Sequence, residues 1–392
     1  MKEHWIDLTT EGAQSVAVGL LRDGQYELAL DKLEEMTAQG DHVPPWVLDV
    51  FIYTFATLGF HDEALKIVSH RLLRENDNIS PYVWYFLLDS CGRAHHHAGV
   101  KHIWARMVQP RLLNPSDAMC LDVLNTAART GDAALASMAM DHMAARGARL
   151  GLHHFEALLD AYAAANDIPN ALQALCIMHA AGIEPGAGST RAVFLALKRA
   201  PELNEPALQC LYELRQRYSV PIAAVNVVIE GMLADGATER AMDVYRHVRQ
   251  LCGTGPDAAT FTVLLQRVEE ARMIIFLGHE MGAFKIAPTA EMLDALIRAH
   301  ETDGSHELGM KFMSSLVEKD DAWMSDTTAA ALVQRCFAEE DERVWKIAEI
   351  SKARGLPLEK LIQEVSGRIA QERLPGQPSA EGAMPEVASM LG

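Results

Sequence analysis

Histidine, cysteine and carboxylate side chains are the residues of this chain most able to bind a metal ion or to catalyse a reaction. His95, His96 and His97 form a triplet, but their surroundings lack the ligand pattern of a metal-binding helix. His279 and Glu280 lack the second histidine of a metalloprotease helix. The six cysteines are far apart and include no C-x-x-C pair. The sequence therefore predicts no metal site and no disulfide framework.

Catalytic and cofactor motifs are also missing from the sequence. A P-loop, a nucleophile elbow and a dinucleotide-binding G-x-G-x-x-G turn are absent, and a deaminase would need the C-x-x-C that the chain lacks. The acidic run from Glu339 to Glu342 is expected to cap a helix rather than to bind a metal. We predict a protein that is not an enzyme, with no cofactor and no small-molecule substrate.

Side chains that suit nucleic acid form a smaller set. Arg191, Lys198 and Arg199 are spaced in helical steps and form the best local positive patch, either a phosphate contact or a solvated face. Trp84 is a candidate for stacking on a base, with packing between helices as the alternative. The net charge of −18 opposes phosphate binding over the whole surface but allows a local basic groove.

Prolines recur at a fixed interval along the chain. Their spacing is close to 35 residues or twice that, and the set is Pro45, Pro81, Pro115, Pro185, Pro221, Pro256, Pro288 and Pro357. A proline ahead of a helix ends the previous element and favours the start of the next one. The sequence therefore predicts one new helix pair per interval.

Two further markers share this period. A glycine or asparagine turn is followed five residues later by a small residue, as in GQYELA from Gly24 and GFHDEA from Gly59, and RAHHHAG around His95 occupies the same place. A methionine followed by a closing glycine ends the second helix, as in LEEMTAQG from Leu33 and DHMAARG from Asp141. Apolar residues recur at helical spacing within each unit.

The markers together predict an all-α fold, a right-handed superhelix (α-solenoid) of about ten helix-hairpin repeats of about 35 residues. The repeats are expected to cover residues 1–373, and residues 374–392 are expected to form a disordered tail. Since no apolar run reaches 18 residues, we predict no membrane span.

Three segments resemble the repeat junctions of the pentatricopeptide repeat family. They are PDAATFTVLLQ from Pro256, PIAAVNVVIEGML from Pro221 and MHAAGIEPG from Met178. The signature tryptophan and paired tyrosine of tetratricopeptide repeats do not recur. The resemblance extends over residues 5 to 370, without a catalytic C-terminal domain.

The resemblance implies a concave groove lined by the first helices, where each repeat reads about one RNA base. Carried onto this chain, the inner-face residues are Gln14, Asp49, Trp84, Leu121, Glu156, Arg191, Asn226, Thr262 and Asp294. Only Asn226 and Thr262 are residue types of the family's code, and Asp257 with Thr262 is the one clean pair. We therefore expect a base code along only part of the chain.

The resemblance further implies an RNA-binding protein of mitochondrial gene expression. The expected roles are RNA processing or stability, translation, or maturation of the small ribosomal subunit, with single-stranded organellar RNA as the partner. The alternative is an acidic scaffold or assembly factor that binds a basic protein on its concave face. A positive groove would favour RNA, and an acidic or apolar groove would favour a protein partner.

Overall fold

The structure of the chain is a computed structural model that describes residues 9–40, 42–73, 79–319 and 324–343. Internal contacts divide the chain into two units. Unit 1 comprises residues 1–235 and 247–253, and unit 2 comprises residues 236–246 and 254–392. The predicted tail at 374–392 and the end of the predicted repeat region lie outside the described residues.

Unit 1 is built from antiparallel helix pairs. Its α-helices are α1 (Thr10–Arg22), α2 (Tyr26–Ala38), α3 (Pro45–Leu58), α4 (His61–Leu72), α5 (Pro81–Arg93), α6 (His97–Ile103), α7 (Asp117–Thr130), α8 (Ala133–Ala145), α9 (Leu152–Ala164), α10 (Ile168–Ala180), α11 (Ala187–Arg199), α12 (Asn204–Leu214), α13 (Ile222–Ala234) and α15 (Val248–Cys252). A π-helical turn at Trp104–Val108 extends α6, and a 3-10 turn at Pro201–Leu203 precedes α12.

Unit 2 has the same kind of helix pairs. Its α-helices are α14 (Thr238–Arg246), α16 (Ala258–Arg267), α17 (Ala271–Ala283), α18 (Ala290–Asp303), α19 (His306–Val317) and α20 (Asp326–Ala338). The described residues of both units are entirely helices, turns and loops, with no strand. The predicted all-α fold of hairpin repeats is confirmed.

The first helix of each repeat starts at a nearly constant interval. Ten such helices, called first helices below, lie within the described residues, with starts 32 to 36 residues apart at Thr10, Pro45, Pro81, Asp117, Leu152, Ala187, Ile222, Ala258, Ala290 and Asp326. The described prolines of the predicted ladder all lie at or just before one of these starts. Pro45 and Pro81 are the first residues of α3 and α5, where a missing N–H costs nothing.

The turns inside the hairpins have left-handed backbone, as the glycine marker predicts. Gly24, Gly59 and Gly131 have φ of 74°, 89° and 70°. Asn166 and His95 occupy the same place with φ of 57° and 53°. Because a left-handed turn favours glycine or asparagine, this backbone explains the marker, and the histidine turn follows the same geometry at a steric cost.

Small residues allow the two helices of a hairpin to approach closely. Ala29, Ala64 and Ala136 are fully buried in the slot five residues after the turn. In α6 the slot five residues after His95 holds the fully buried Val100, and the small residue is its neighbour Gly99, where an added Cβ would lie 2.7 Å from Cys91 Sγ. A small residue at or beside this slot therefore allows the close packing of the two helices.

Within each unit, first helices pack against one another in sequence. In unit 1 the row runs α1, α3, α5, α7, α9, α11 and α13, and in unit 2 it runs α16, α18 and α20. Second helices cover the other side, so the apolar core lies between the two layers. No helix of the described residues has the length and hydropathy needed to cross a membrane.

Candidate nucleic-acid interface

The outward face of the first helices in unit 1 forms an open groove. The second, fifth, ninth and thirteenth residues of a helix lie along one stripe, because 3.6 residues complete a turn. In α3, α5, α7 and α9 these positions supply most of the groove lining. We call this surface the first-helix face, and it has an aromatic and a polar section.

The aromatic section is a depression of about 480 Å³ on α3, α5 and α7. Tyr82 is 82% exposed and Tyr85 is 39% exposed. Tyr53 and Phe86 lie beside them, with ring centroids 4.5 Å apart. Exposed rings on a concave surface offer flat platforms on which unpaired bases can stack.

The polar section is an adjoining groove of about 550 Å³ on α5, α7 and α9. Its lining includes Arg93 and Arg129 together with Asp122, Glu156 and Asp160. Partial desolvation within the groove raises the pKa of Asp160, and the nearby charge of Glu156 raises it further. The groove therefore carries both signs of charge and is neither purely basic nor purely acidic.

An arginine recurs at the thirteenth position of first helices in unit 1. This arginine row consists of Arg22, Arg93, Arg129 and Arg199. All four residues are exposed. Each lies in or at the end of the last helical turn, where a positive charge interacts favourably with the helix dipole. The row was not recognised in the sequence, although its spacing of 71, 36 and 70 residues follows the repeat period.

The predicted basic patch lies on α11. Arg191 and Lys198 are exposed and seven residues apart, so they lie on one face two turns from each other. Within the described residues neither side chain has a hydrogen bond or an ion pair. Arg199 instead donates from Nη2 to the carbonyl of Ala163 at 3.3 Å and to Asn166 Oδ1 at 3.0 Å. Arg191 and Lys198 are thus open to a phosphate, whereas Arg199 also links α11 to α9.

The structure corrects the role predicted for Trp84. Its side chain is 2% exposed and packs beside the His102 ring, with centroids 6.4 Å apart. A base has no access to this indole. The physical reason is register: α3 and α5 start 36 residues apart, so the residue equivalent to Asp49 is Tyr85 and not Trp84. The exposed ring at this position of the helix is therefore Tyr85, one residue later.

Several predicted base-reading residues are engaged in bonds between neighbouring hairpins. Gln14 Nε2 donates to the carbonyl of His42 at 3.3 Å, and Ser189 Oγ donates to Glu156 Oε1 at 3.4 Å. The backbone N–H of Ser325 donates to Asp294 Oδ1 at 2.8 Å. The fifth position of these helices therefore serves repeat stacking.

Of the three residues that best match the family code, one is buried and two form hydrogen bonds within α16 or at its start. Asn226 is 7% exposed on α13. Asp257 is the N-cap of α16, where its Oδ1 accepts from the Thr260 N–H at 2.8 Å. Thr262 is half-buried and donates to the carbonyl of Ala258 at 2.9 Å. Asp257 and Thr262 lie in unit 2, and Asn226 lies in unit 1.

The histidine triplet connects hairpins. His95 Nδ1 lies 3.3 Å from Thr126 Oγ1, and His97 Nε2 lies 2.8 Å from Asp132 Oδ2. His96 Nε2 lies 3.1 Å from Asp62 Oδ1 on the other side. These histidines link α5 and α6 to both neighbouring hairpins.

Comparisons with known proteins agree with this architecture. Residues 117–248 match the family model described as "Pentatricopeptide repeat-containing protein". This match places pentatricopeptide-type repeats at residues 117–248. The matched range includes α7 to α10, which carry most of the polar section. Residues 312–373 match a second model, described as "Fungal tetratrico peptide repeats". No curated protein sequence matches the chain.

Three solved structures are also similar to the chain, each at low sequence identity. PPR10 in complex with an 18-nucleotide psaJ RNA element shares 17% identity over 94% of this chain and 58% of that chain, with a TM-score of 0.34. PPR10 from maize shares 12% identity over 94% and 61%, with a TM-score of 0.35. Yeast Rmd9p with a 16-nucleotide target RNA shares 11% identity over 93% and 83%, with a TM-score of 0.42. The chain thus spans 58% of the length of the first of these proteins.

Proposed function

We propose that the chain binds single-stranded RNA along the first-helix face of unit 1 and acts in mitochondrial gene expression. The observation that carries this proposal is the combination of exposed tyrosines on α5 with an arginine row on the same face of the first helices α1, α5, α7 and α11. Stacking platforms beside phosphate-binding cations are the common device of single-strand recognition. The pentatricopeptide repeats of residues 117–248 support the same ligand.

Recognition on this face proceeds by stacking and by charge, with little base reading. Tyr82 and Tyr85 would stack bases, since every base has a flat face. Arg93, Arg129 and Arg191 would contact phosphates. The fifth positions that could read base edges are engaged between hairpins in α1, α9 and α18. We therefore expect weak sequence preference and strong salt dependence.

The cellular role that we propose is RNA processing or stability, translation, or maturation of the small ribosomal subunit. Crosslinking and immunoprecipitation from cells, followed by sequencing of bound RNA and mass spectrometry of bound proteins, tests this role. We expect crosslinked RNA fragments from organellar transcripts. Recovery of proteins alone, with no RNA footprint, would contradict the proposal.

A basic protein is the second candidate partner. The observation that favours it is the polar section, where Asp122, Glu156 and Asp160 outnumber Arg93 and Arg129. The exposed Leu195 on α11 adds apolar surface for such a partner. A protein partner predicts binding that weakens when these carboxylates are neutralised, which is the opposite of the expectation for RNA.

The salt dependence of RNA binding tests the cations directly. We expect Arg191→Ala with Lys198→Ala to weaken binding of a uniform single-stranded RNA and to lower the slope of log K against log salt by about 0.7 for each phosphate that is no longer neutralised. Arg217→Ala, an exposed arginine after α12, is the matched control and should leave the slope unchanged. An unchanged slope in the double variant would show that the α11 patch is only solvated surface.

A further inference from the structure

Three side chains with metal-binding atoms converge in unit 2. His306 is the first residue of α19, Cys336 lies in the last turn of α20, and Asp341 follows that helix. Their ligand atoms all lie within 4.8 Å of one another. His306 and Cys336 are 3% and 1% exposed, and the Asp341 side chain is 12% exposed.

We propose that His306, Cys336 and Asp341 bind a zinc ion through Nε2, Sγ and a carboxylate oxygen. Imidazole, thiolate and carboxylate are the three donor classes that zinc takes in proteins. His306 Nε2 lies 2.9 Å from Asp341 Oδ2 and 3.9 Å from Cys336 Sγ. Tetrahedral zinc separates its nitrogen and oxygen ligands by about 3.3 Å and its nitrogen and sulfur ligands by about 3.6 Å. The two separations from His306 Nε2 therefore differ from these values by a few tenths of an ångström, and the Cys336 Sγ to Asp341 separation lies within 4.8 Å.

The second ring nitrogen of His306 is already oriented for this role. Nδ1 lies 2.7 Å from Glu301 Oε2, and the Glu301 side chain is fully buried. A carboxylate that accepts from the far nitrogen fixes the ring and directs the lone pair of Nε2 to the metal. Glu301 thus acts as a positioning residue for the site.

The charges of the site also suit a divalent cation. The ligands bring two negative charges when the thiol and the imidazole release their protons to solvent, so the metal and its ligands are neutral together. Arg343 donates to Asp341 Oδ2 at 2.8 Å from Nε and also pairs with Glu307. Arg343 therefore holds Asp341 in place while one carboxylate oxygen serves the ion. Three protein ligands leave the fourth tetrahedral position to water.

Such a site would connect α19 to the segment that follows α20. The three ligands come from two repeats and are separated by 30 and 5 residues in the sequence, so no short ligand motif exists. The amino-acid pattern alone predicts no metal site for this reason. Metal binding would stabilise unit 2 by linkage, because the unfolded chain does not bring the donors together.

Cobalt titration of the full chain tests the site. The purified, chelator-treated protein is titrated with Co²⁺ while its absorption spectrum is recorded. We expect one equivalent to produce tetrahedral ligand-field bands and a thiolate-to-cobalt charge-transfer band, and Zn²⁺ to displace both. A folded wild-type chain that gives no charge-transfer band would overturn the proposal.

Variants locate the site on the named residues. We expect Cys336→Ser to lose the charge-transfer band and Glu301→Gln to weaken Zn²⁺ binding by roughly 10- to 100-fold. Cys176→Ser removes another buried cysteine, in α10 of unit 1, and should leave the spectrum unchanged. Circular dichroism reports whether each variant folds. If Cys336→Ser fails to fold, the proposal is still tested by the cobalt spectrum of the wild-type chain and by the rise in its melting temperature on addition of Zn²⁺. A band that persists in folded Cys336→Ser would contradict the assignment.

Discussion

The first-helix face of unit 1 and the cluster of Glu301, His306, Cys336 and Asp341 in unit 2, called the His306 cluster, place polar side chains in opposite surroundings. On the first-helix face, Arg129 and Asp160 are exposed and point into an open groove. In the His306 cluster, Glu301 and His306 are buried and bonded to each other. Ionisable side chains are thus accessible to a large ligand in one region and inaccessible to it in the other.

This difference shows how a repeat protein distributes its polar groups. A buried charge is costly unless it is paired, so polar residues between helices are committed to stability or to a small ion. Polar residues on the open face contribute little to stability and remain accessible to a ligand. The expected effects of substitution therefore differ in kind as well as in size.

His306→Ala should give the largest loss of stability. Removing this ring leaves Glu301 buried without its partner, and we expect the free energy of unfolding to fall by about 3–5 kcal/mol in metal-free protein. Urea unfolding followed by circular dichroism measures it. Arg129→Ala on the open face is the control and should change stability by less than about 0.5 kcal/mol. Equal losses of stability in the two variants would contradict the expected difference between buried and exposed polar residues.

Asp132 in unit 1 is an intermediate case, because its ion pair with Lys101 of the neighbouring hairpin is open to solvent. Burial by itself raises the pKa of Asp132, but hydrogen bonds from Lys101, the Leu135 N–H and His97 outweigh it and hold the pKa at about 2. Because folding lowers the pKa of Asp132, its ionised form stabilises the folded chain fully above its ordinary pKa of 3.8. That stability is lost as the pH falls toward 2.

We accordingly expect Asp132→Asn to lower the free energy of unfolding by about 1–2 kcal/mol at pH 7, since solvent at the exposed Lys101 screens the pair. The difference from wild type should narrow as pH falls below 3.8. Asp62→Asn removes a carboxylate that is 72% exposed and should have little effect at either pH. A difference that stays constant from pH 7 to pH 3 would show that charge is not its cause.

Asp160→Asn should give the smallest effect, and it separates the two candidate partners. Removing one negative charge from the polar section should tighten single-stranded RNA binding by roughly two- to fivefold, the scale of an exposed charge interaction. Fluorescence anisotropy at low salt measures it. Glu213→Gln on α12, a second helix, should have no effect. Weaker binding by Asp160→Asn would favour a basic protein partner.

The repeat was predictable from the sequence because its markers are local. A left-handed turn favours glycine or asparagine, and a close helix approach requires a small residue, so Gly59 and Ala64 reveal the hairpin directly. Trp84 shows the limit, because an error of one residue in register rotates a helical position by about 100° and exchanges core for surface. Tyr85 becomes identifiable only when the helix start at Pro81 is used as the origin.

The His306 cluster was beyond prediction for a different reason. Asp341 meets His306 only after α19 and α20 pack together, and no sequence spacing encodes that packing. The fifth positions likewise cannot be assigned from residue type. Asp294 has the composition of a base reader, yet it bonds the start of the next first helix.

The exposed tyrosines of the first-helix face are expected to bind RNA by stacking on its bases. The most direct measurement is the affinity of a uniform single-stranded RNA for wild type, for Tyr82→Ala with Tyr85→Ala, and for Tyr212→Ala. Stacking of one base contributes about 1–3 kcal/mol, so we predict that the double variant binds at least roughly tenfold more weakly. Tyr212, exposed on α12, should be replaceable without loss. Wild-type affinity in the folded double variant, or an equal loss in Tyr212→Ala, would contradict the account.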